Sequence, residues 1–352
     1  MSQFSLVTHL RALSISAKTL GLQVQLQPDS LRVELWSADR YVELEPEFAA
    51  VSPLGRFEFS SEALPRYTYF AGWRCAPKKY RSASIDKRAF AEFCARHGVR
   101  TPRSYANAAE ANTNVLVKQV RPTERGVIRG PFAPGLIPAD CLRVPNDLML
   151  QEFVPGHLLE ASYWDGQLFA VEVRNRPFIT GDGESTARDL ITCNGWTPEH
   201  VDWTAAEDAL RFQGAALDMV LPSGKQLAVE LRFHSTLKLP GPDNEIGTII
   251  GTPVHEQLQQ AGPLFCNAIP PEIRARTQFV LSGIIDSQQQ VWFTDMVTDR
   301  VVHTDVYDLM LRSLFGMPVA TTTNSAESVV SVRAAPPAAS SRRDAIRSVR
   351  RP

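Results

Sequence analysis

Hydrophobic and polar positions alternate at period two in two short stretches near the start of the chain, LQVQLQ at 22–27 and LRVELW at 31–36. A polar connection through residues 28–30 separates them. Successive side chains of a strand point to opposite faces, so this alternation predicts half-buried strands joined in a hairpin. Residues 1–80 are therefore expected to form a small N-terminal α/β or β-rich domain. From residue 84 the period changes. In SIDKRAFAEFCARHGVRTP, Phe90, Phe93, Cys94 and His97 recur at the spacing of one helical face. Ser84 or Asp86 offers an oxygen to cap the start, Gly98 suits a left-handed stop, and Pro102 follows soon after.

Strand-like runs come next at 115–120 (VLVKQV), 148–154 (LMLQEFV), 167–174 (QLFAVEVR), 226–233 (QLAVELRF), 278–286 (QFVLSGIID) and 290–297 (QVWFTDMV). TARDLI at 186–191 reads as a helix, and DVYDLMLRSLF at 305–315 as a closing amphipathic one. Strands interspersed with helices predict an α+β or α/β architecture over residues 81–316. After Gly316 the chain runs to Ala, Ser, Thr, Pro and Arg. Residues 317–352 read as a disordered tail. Its last twenty residues, 333–352, hold six arginines and one acid, a net of +5, so the rest of the chain carries -6 against a total of -1. A solvated tail is one reading and a docking arm for an acidic partner is the other.

Composition narrows the class of protein. Of 352 residues, 44% are hydrophobic and 21% charged, the balance of an ordinary globular chain. A near-neutral total with an acidic body argues against a nucleic-acid protein. No apolar run approaches the roughly 20 residues that span a bilayer, so no membrane association is expected. The first twenty residues are interrupted by His9, Arg11 and Lys18, unlike a signal peptide. The five cysteines, at 75, 94, 141, 193 and 266, are odd in number and widely spaced. Reduced thiols in a cytoplasmic protein are the simplest reading.

The order of chemistry-bearing segments says more than any one of them. A helix opening on Asp86-Lys87 is followed by a strand carrying Lys118, then by the loop RPTERGVIRGPFAPG. Next come Q-E-F-V-P-G at 151–156, R-N-R-P-F-I-T-G-D-G-E-S-T at 174–186, and a final pair of strands bearing acids. This series resembles the ATP-grasp superfamily, most closely the ligase region of cyanophycin synthetases and more distantly D-alanine–D-alanine ligases. The resemblance covers residues 80–316.

The resemblance implies two α+β subdomains gripping ATP with Mg2+, and a carboxylate–amine ligase that forms an amide or peptide bond through an acyl phosphate. The substrate would be a small amino acid or peptide. Lys87 and Lys118 stand where lysines reach the phosphates. A lysine amid valines and leucines is costly to bury without an anion, which makes Lys118 the foremost candidate. Gln151, Glu152 and Val154 stand in the hinge that binds adenine, with the Gln151 amide oxygen able to accept from the adenine amino group. Leu158 occupies the place of the acid that holds the ribose, and Glu160, two residues on and on the same strand face, is its candidate substitute. Arg232 is placed like the catalytic arginine that meets the acyl phosphate, and Arg125 or Arg129 would add charge to the glycine loop. At the metal site the family pattern aligns with Ser282, Asp295 and Val297, so one of three ligands is kept. Asp286 and Asp299 are the nearby acids that a rearranged site would use. The alternative is a degenerate ATP-grasp protein that keeps the fold as a nucleotide-binding or scaffolding module. The sequence leaves the oligomeric state open, a homo-oligomer included.

Overall fold

A computed structural model of the chain describes residues 5–51, 57–75, 86–120, 128–142, 148–194, 196, 201–232, 246–298 and 301–318. Residues Met1–Pro318 form one compact unit. The chain opens on α1 (Leu6–Thr19), a helix that the alternating pattern did not announce. Its signal is a stripe of Leu6, Leu10, Leu13 and Ala17 beside His9, of which His9, Leu13 and Ala17 are buried. The expected hairpin follows as β1 (Gln23–Leu26) and β2 (Val33–Trp36), paired antiparallel from Gln23–Trp36 to Leu26–Val33. The long β3 (Tyr41–Val51), β4 (Phe57–Ser60) and β5 (Tyr69–Arg74) complete a five-stranded antiparallel sheet.

The helix predicted after residue 84 is α2 (Lys87–Arg96), capped by Asp86, whose carboxylate accepts from Arg88 N, and stopped at Gly98. A second sheet then forms from β6 (Ser104–Tyr105), β7 (Val115–Gln119), β8 (Ile128–Phe132) and β9 (Leu148–Glu152), in the order β6-β9-β7-β8. A third begins with β10 (His157–Trp164) and β11 (Gln167–Arg174), joined later in the chain by two more strands. Between them lie β12 (Phe178–Thr180), α3 (Ala187–Cys193), α4 (Trp203–Phe212), β13 (Gln226–Ala228), α5 (Ile246–Ile249), α6 (Pro253–Cys266) and α7 (Pro271–Arg274). The third sheet closes with β14 (Gln278–Ile285) and β15 (Val291–Val297) in the order β11-β10-β14-β15, and α8 (Val306–Phe315) ends the described chain. The architecture is α+β with antiparallel sheets throughout.

One expected strand is cut short. The run 226–233 pairs with β12 only as far as Ala228. Pro177 precedes β12 and has no N–H to offer, so the ladder ends where Val229 N donates to the Pro177 carbonyl at 2.9 Å. Burial nevertheless continues past the ladder, with Val229, Glu230, Leu231 and Arg232 all buried.

Each face of the third sheet has its own partner. Leu159, Ala161, Tyr163, Val171, Phe279, Leu281, Phe293 and Met296 turn to one side, under α2 and α6. There Phe90 stacks on Phe265 with ring centroids 5.4 Å apart. A fully buried leucine, valine, phenylalanine or methionine there stabilises by about 1.5–3 kcal/mol. The other side meets the second sheet through Leu116, Val154 and Ile284.

The N-terminal strands and α1 share their core with α8, through Leu13, Ala17, Trp73, Met310, Leu311 and Phe315. His9 Nδ1 and Tyr307 Oη lie 2.7 Å apart across that core, and Tyr307 Oη also accepts from Trp73 N at 3.2 Å. The core of the described N-terminal elements is thus shared with the last described helix.

Candidate functional site

The site is built where the second and third sheets face each other. In β7, Val115 and Val117 enter the core beneath the second sheet, so Leu116 and Lys118 point the other way, toward the third. Lys118 is 2% exposed. Its ammonium donates to Gln151 Oε1 at 2.6 Å, and Gln151, opposite Leu116 in register, donates in turn to the Pro102 carbonyl at 3.4 Å. Burial lowers the Lys118 ammonium to about 7, helped by the charge of Lys87 and opposed by Asp295. The Gln151 amide oxygen is therefore committed first to the lysine.

Lys87 reaches the same place from the first turn of α2. Its backbone N donates to the Val120 carbonyl at 3.2 Å, docking the helix start on the end of β7. Its ammonium lies 3.4 Å from Asp295 Oδ2. Asp295 stands in β15 opposite Ser282 of β14, which stands opposite Glu160 of β10, which stands opposite Glu172 of β11. Directly paired residues share a face, so these four side chains form one row across the sheet on the side of Ile284. Arg174 joins the row, bonded to Glu172 and 4.0 Å from Glu160. Burial works against the charge of Arg174, and Glu160 and Glu172 raise its pKa above the ordinary value.

The hinge runs between the two sheets. Glu152 N donates to the Arg103 carbonyl at 2.8 Å, Glu152 Oε2 accepts from Arg103 N at 3.2 Å, and Phe153 N donates to the Asn114 carbonyl at 2.7 Å. Val154 is buried between the sheets. Gly156 has φ 152, and a Cβ there would lie 2.2 Å from the Ile285 carbonyl oxygen, so glycine is required for the chain to turn onto β10.

Arg176 holds this turn in place. Its guanidinium donates to the carbonyls of Gly156 (3.1 Å), Val154 (3.5 Å) and Arg232 (3.0 Å), and lies over the Phe153 ring. Burial brings it down to about 10, against the opposing charge of Glu230. Arg232, read from the sequence as the catalytic arginine, is 7% exposed. Its Nε donates to Glu230 Oε1 at 2.7 Å, Nη2 pairs with the same carboxylate, and Nη1 donates to Asp202 Oδ2 at 2.8 Å. Any anion that meets Arg232 must compete with two carboxylates.

Two further charged residues are already engaged. Asp286, named as an acid for a rearranged metal site, closes the turn between β14 and β15. Its Oδ1 accepts from Gln288 N (2.8 Å) and Gln290 N (2.9 Å), and Oδ2 from the Trp292 indole (2.8 Å). Burial opposes the ionised form, and these donors with the charge of Arg100 together outweigh it and hold the carboxyl below its ordinary value. Arg129, named as a charge for the glycine loop, is engaged as well. It makes a two-pronged bond to Asp208 of α4, at 2.6 and 3.2 Å, and Gly130 N donates to the same carboxylate at 3.0 Å. Sequence reasoning missed Asp208. The signal was an acid amid Ala205, Ala206, Ala209 and Leu210 on a buried helix face. Arg125, Asp299 and the arginine-rich tail lie outside the described residues.

Among the described residues, no three His, Cys, Asp or Glu side chains are grouped to hold a metal ion. The five cysteines are free thiols. No helix among the described residues is long and apolar enough to cross a membrane.

No protein-family model matches the chain, and no curated protein matches its sequence. Several solved structures align with it at low identity. A bifunctional glutathione synthetase from Pasteurella multocida is 13% identical over 88% of this chain and 43% of that one, with a TM-score of 0.42. D-alanine–D-alanine ligase from Bacillus anthracis is 9% identical over 66% of each chain, with a TM-score of 0.36. The ATP-grasp ligase PsnB complexed with a minimal precursor is 9% identical over 65% of this chain and 60% of that one, with a TM-score of 0.32. The chain thus spans less than half of the first of these proteins and just under two thirds of the second.

Proposed function

We propose that this chain is an ATP-grasp protein that binds ATP between its second and third sheets and acts as a carboxylate–amine ligase. The observation that carries the reading is Lys118. A lysine 2% exposed, aimed between two sheets with a second lysine nearby, is a poor structural element and a good receptor for a polyphosphate. The hinge at Gln151, Glu152 and Val154 then takes the adenine, and Glu160 is the carboxylate nearest to the role of ribose acceptor. Arg232 and the Gly181-Asp182-Gly183 loop serve the acyl side. An amino acid or short peptide is the substrate class. A cytosolic setting agrees with the five free thiols.

Coupled release of ADP and phosphate tests the reaction, with purified protein offered pairs from a panel of amino acids and dipeptides. Release that requires both an amine and a carboxylate is expected. A panel that yields no ADP leaves the second reading, a degenerate ATP-grasp module that binds nucleotide without turning it over. Two observations favour that second reading: neutral Ser282 stands between Glu160 and Asp295, and Arg232 is engaged by Glu230 and Asp202.

A further inference from the structure

Magnesium requires hard oxygen ligands in near-octahedral array at about 2.1 Å, and the described residues between the sheets do not supply them. The row that faces the second sheet reads Glu172, Glu160, Ser282, Asp295, with a neutral hydroxyl in its middle. Two positions beyond Asp295 on the same face stands Val297, opposite Val280. Asp286 is consumed by its turn.

The remaining carboxylates already have cations. Arg174 serves Glu160 and Glu172, and Lys87 lies 3.4 Å from Asp295. Arg174 and Lys87 thus already engage all three carboxylates of the row before any ion arrives. A divalent cation at Asp295 would have to displace the Lys87 ammonium and stand beside Lys118. A polyphosphate, in contrast, meets both ammonium groups at once.

We propose that this site takes the nucleotide polyphosphate without a divalent cation, with the Lys87 ammonium at Asp295 in the position a metal would need. The inference rests on the nucleotide reading above and concerns how the phosphates are held. Calorimetric titration of the full chain with ATP, once in excess EDTA and once in excess Mg2+, tests it. The two dissociation constants are expected to agree within about twofold. Asp295→Asn gives an independent check, because it removes a negative charge beside the phosphates and one that Lys87 must otherwise share. Its affinity in EDTA is expected to rise by about threefold or more, whereas loss of a metal ligand would weaken binding in Mg2+ by about tenfold or more. Binding seen only with Mg2+, or an Asp295→Asn protein that fails in Mg2+, overturns this inference while the cleft reading stands. Absence of ATP binding in both buffers overturns the cleft reading, and this inference with it.

Discussion

Replacing Lys118 by methionine should make the protein more stable and a poorer nucleotide binder. The side chains are similar in length, so the change removes the ammonium and leaves the packing of β7 nearly intact. Burial lowers the ammonium from 10.5 to about 7, which at about 1.36 kcal/mol per unit corresponds to a folding penalty on the order of 5 kcal/mol near neutral pH. Against this, methionine forfeits the bond to Gln151 and leaves a buried amide oxygen short of a donor, together about 2–4 kcal/mol.

The remainder is a gain of about 1–3 kcal/mol, or a melting temperature raised by roughly 2–6 °C for a unit of this size. ATP affinity should fall by about tenfold or more, the loss of a charge-assisted hydrogen bond to phosphate. Differential scanning fluorimetry and calorimetry with ATP measure the two halves on one preparation. A variant that melts lower and binds ATP as before would show Lys118 to be structural and refute the reasoning.

The same lysine sets a pH dependence. Between about 7 and 10.5 the unfolded chain holds the proton that folded Lys118 releases, so stability against urea should rise with pH across that window, and the slope should vanish in Lys118→Met. Phosphate binding favours the charged form, so calorimetry above pH 7 in buffers of different ionisation enthalpy should show net proton uptake with ATP in the wild type and none in the variant. Asp208→Ala removes the acceptor shared by Arg129 and the Gly130 N–H; a loss of about 3–5 kcal/mol in urea unfolding is expected. Tyr307→Phe removes the oxygen shared by His9 and Trp73 N, which should cost about 1–3 kcal/mol by the same assay while leaving ATP binding unchanged.

The parts of the fold legible in the sequence were those fixed by local pattern. Asp86 and Gly98 bounded α2 because caps are local chemistry, and the strands around Lys118 and Gln151 followed from short apolar runs. The helix α1 was harder to see, since its apolar stripe carries His9 and its packing partner α8 lies at the far end of the described chain. Strand parity put Glu160 forward and the family pattern put Asp295 forward, each separately. Only the register of β10 with β14, and of β14 with β15, sets them in one row with Ser282 between.

The ion pairs were least legible of all. Lys87 with Asp295, Arg129 with Asp208 and Arg232 with Asp202 each join distant segments of the chain. A charged residue in sequence does not reveal which opposite charge the fold brings to it. For Arg232 this matters most, because its family-like position says nothing of the two carboxylates that hold it.

The most direct test of a nucleotide site between the second and third sheets is photolabelling of the full chain with an azido-ATP, followed by mass spectrometric mapping. The account predicts label on residues 148–156, abolished by excess ATP and reduced in the folded Lys118→Met protein. Label elsewhere on the chain, or label that ATP does not compete away, would contradict it.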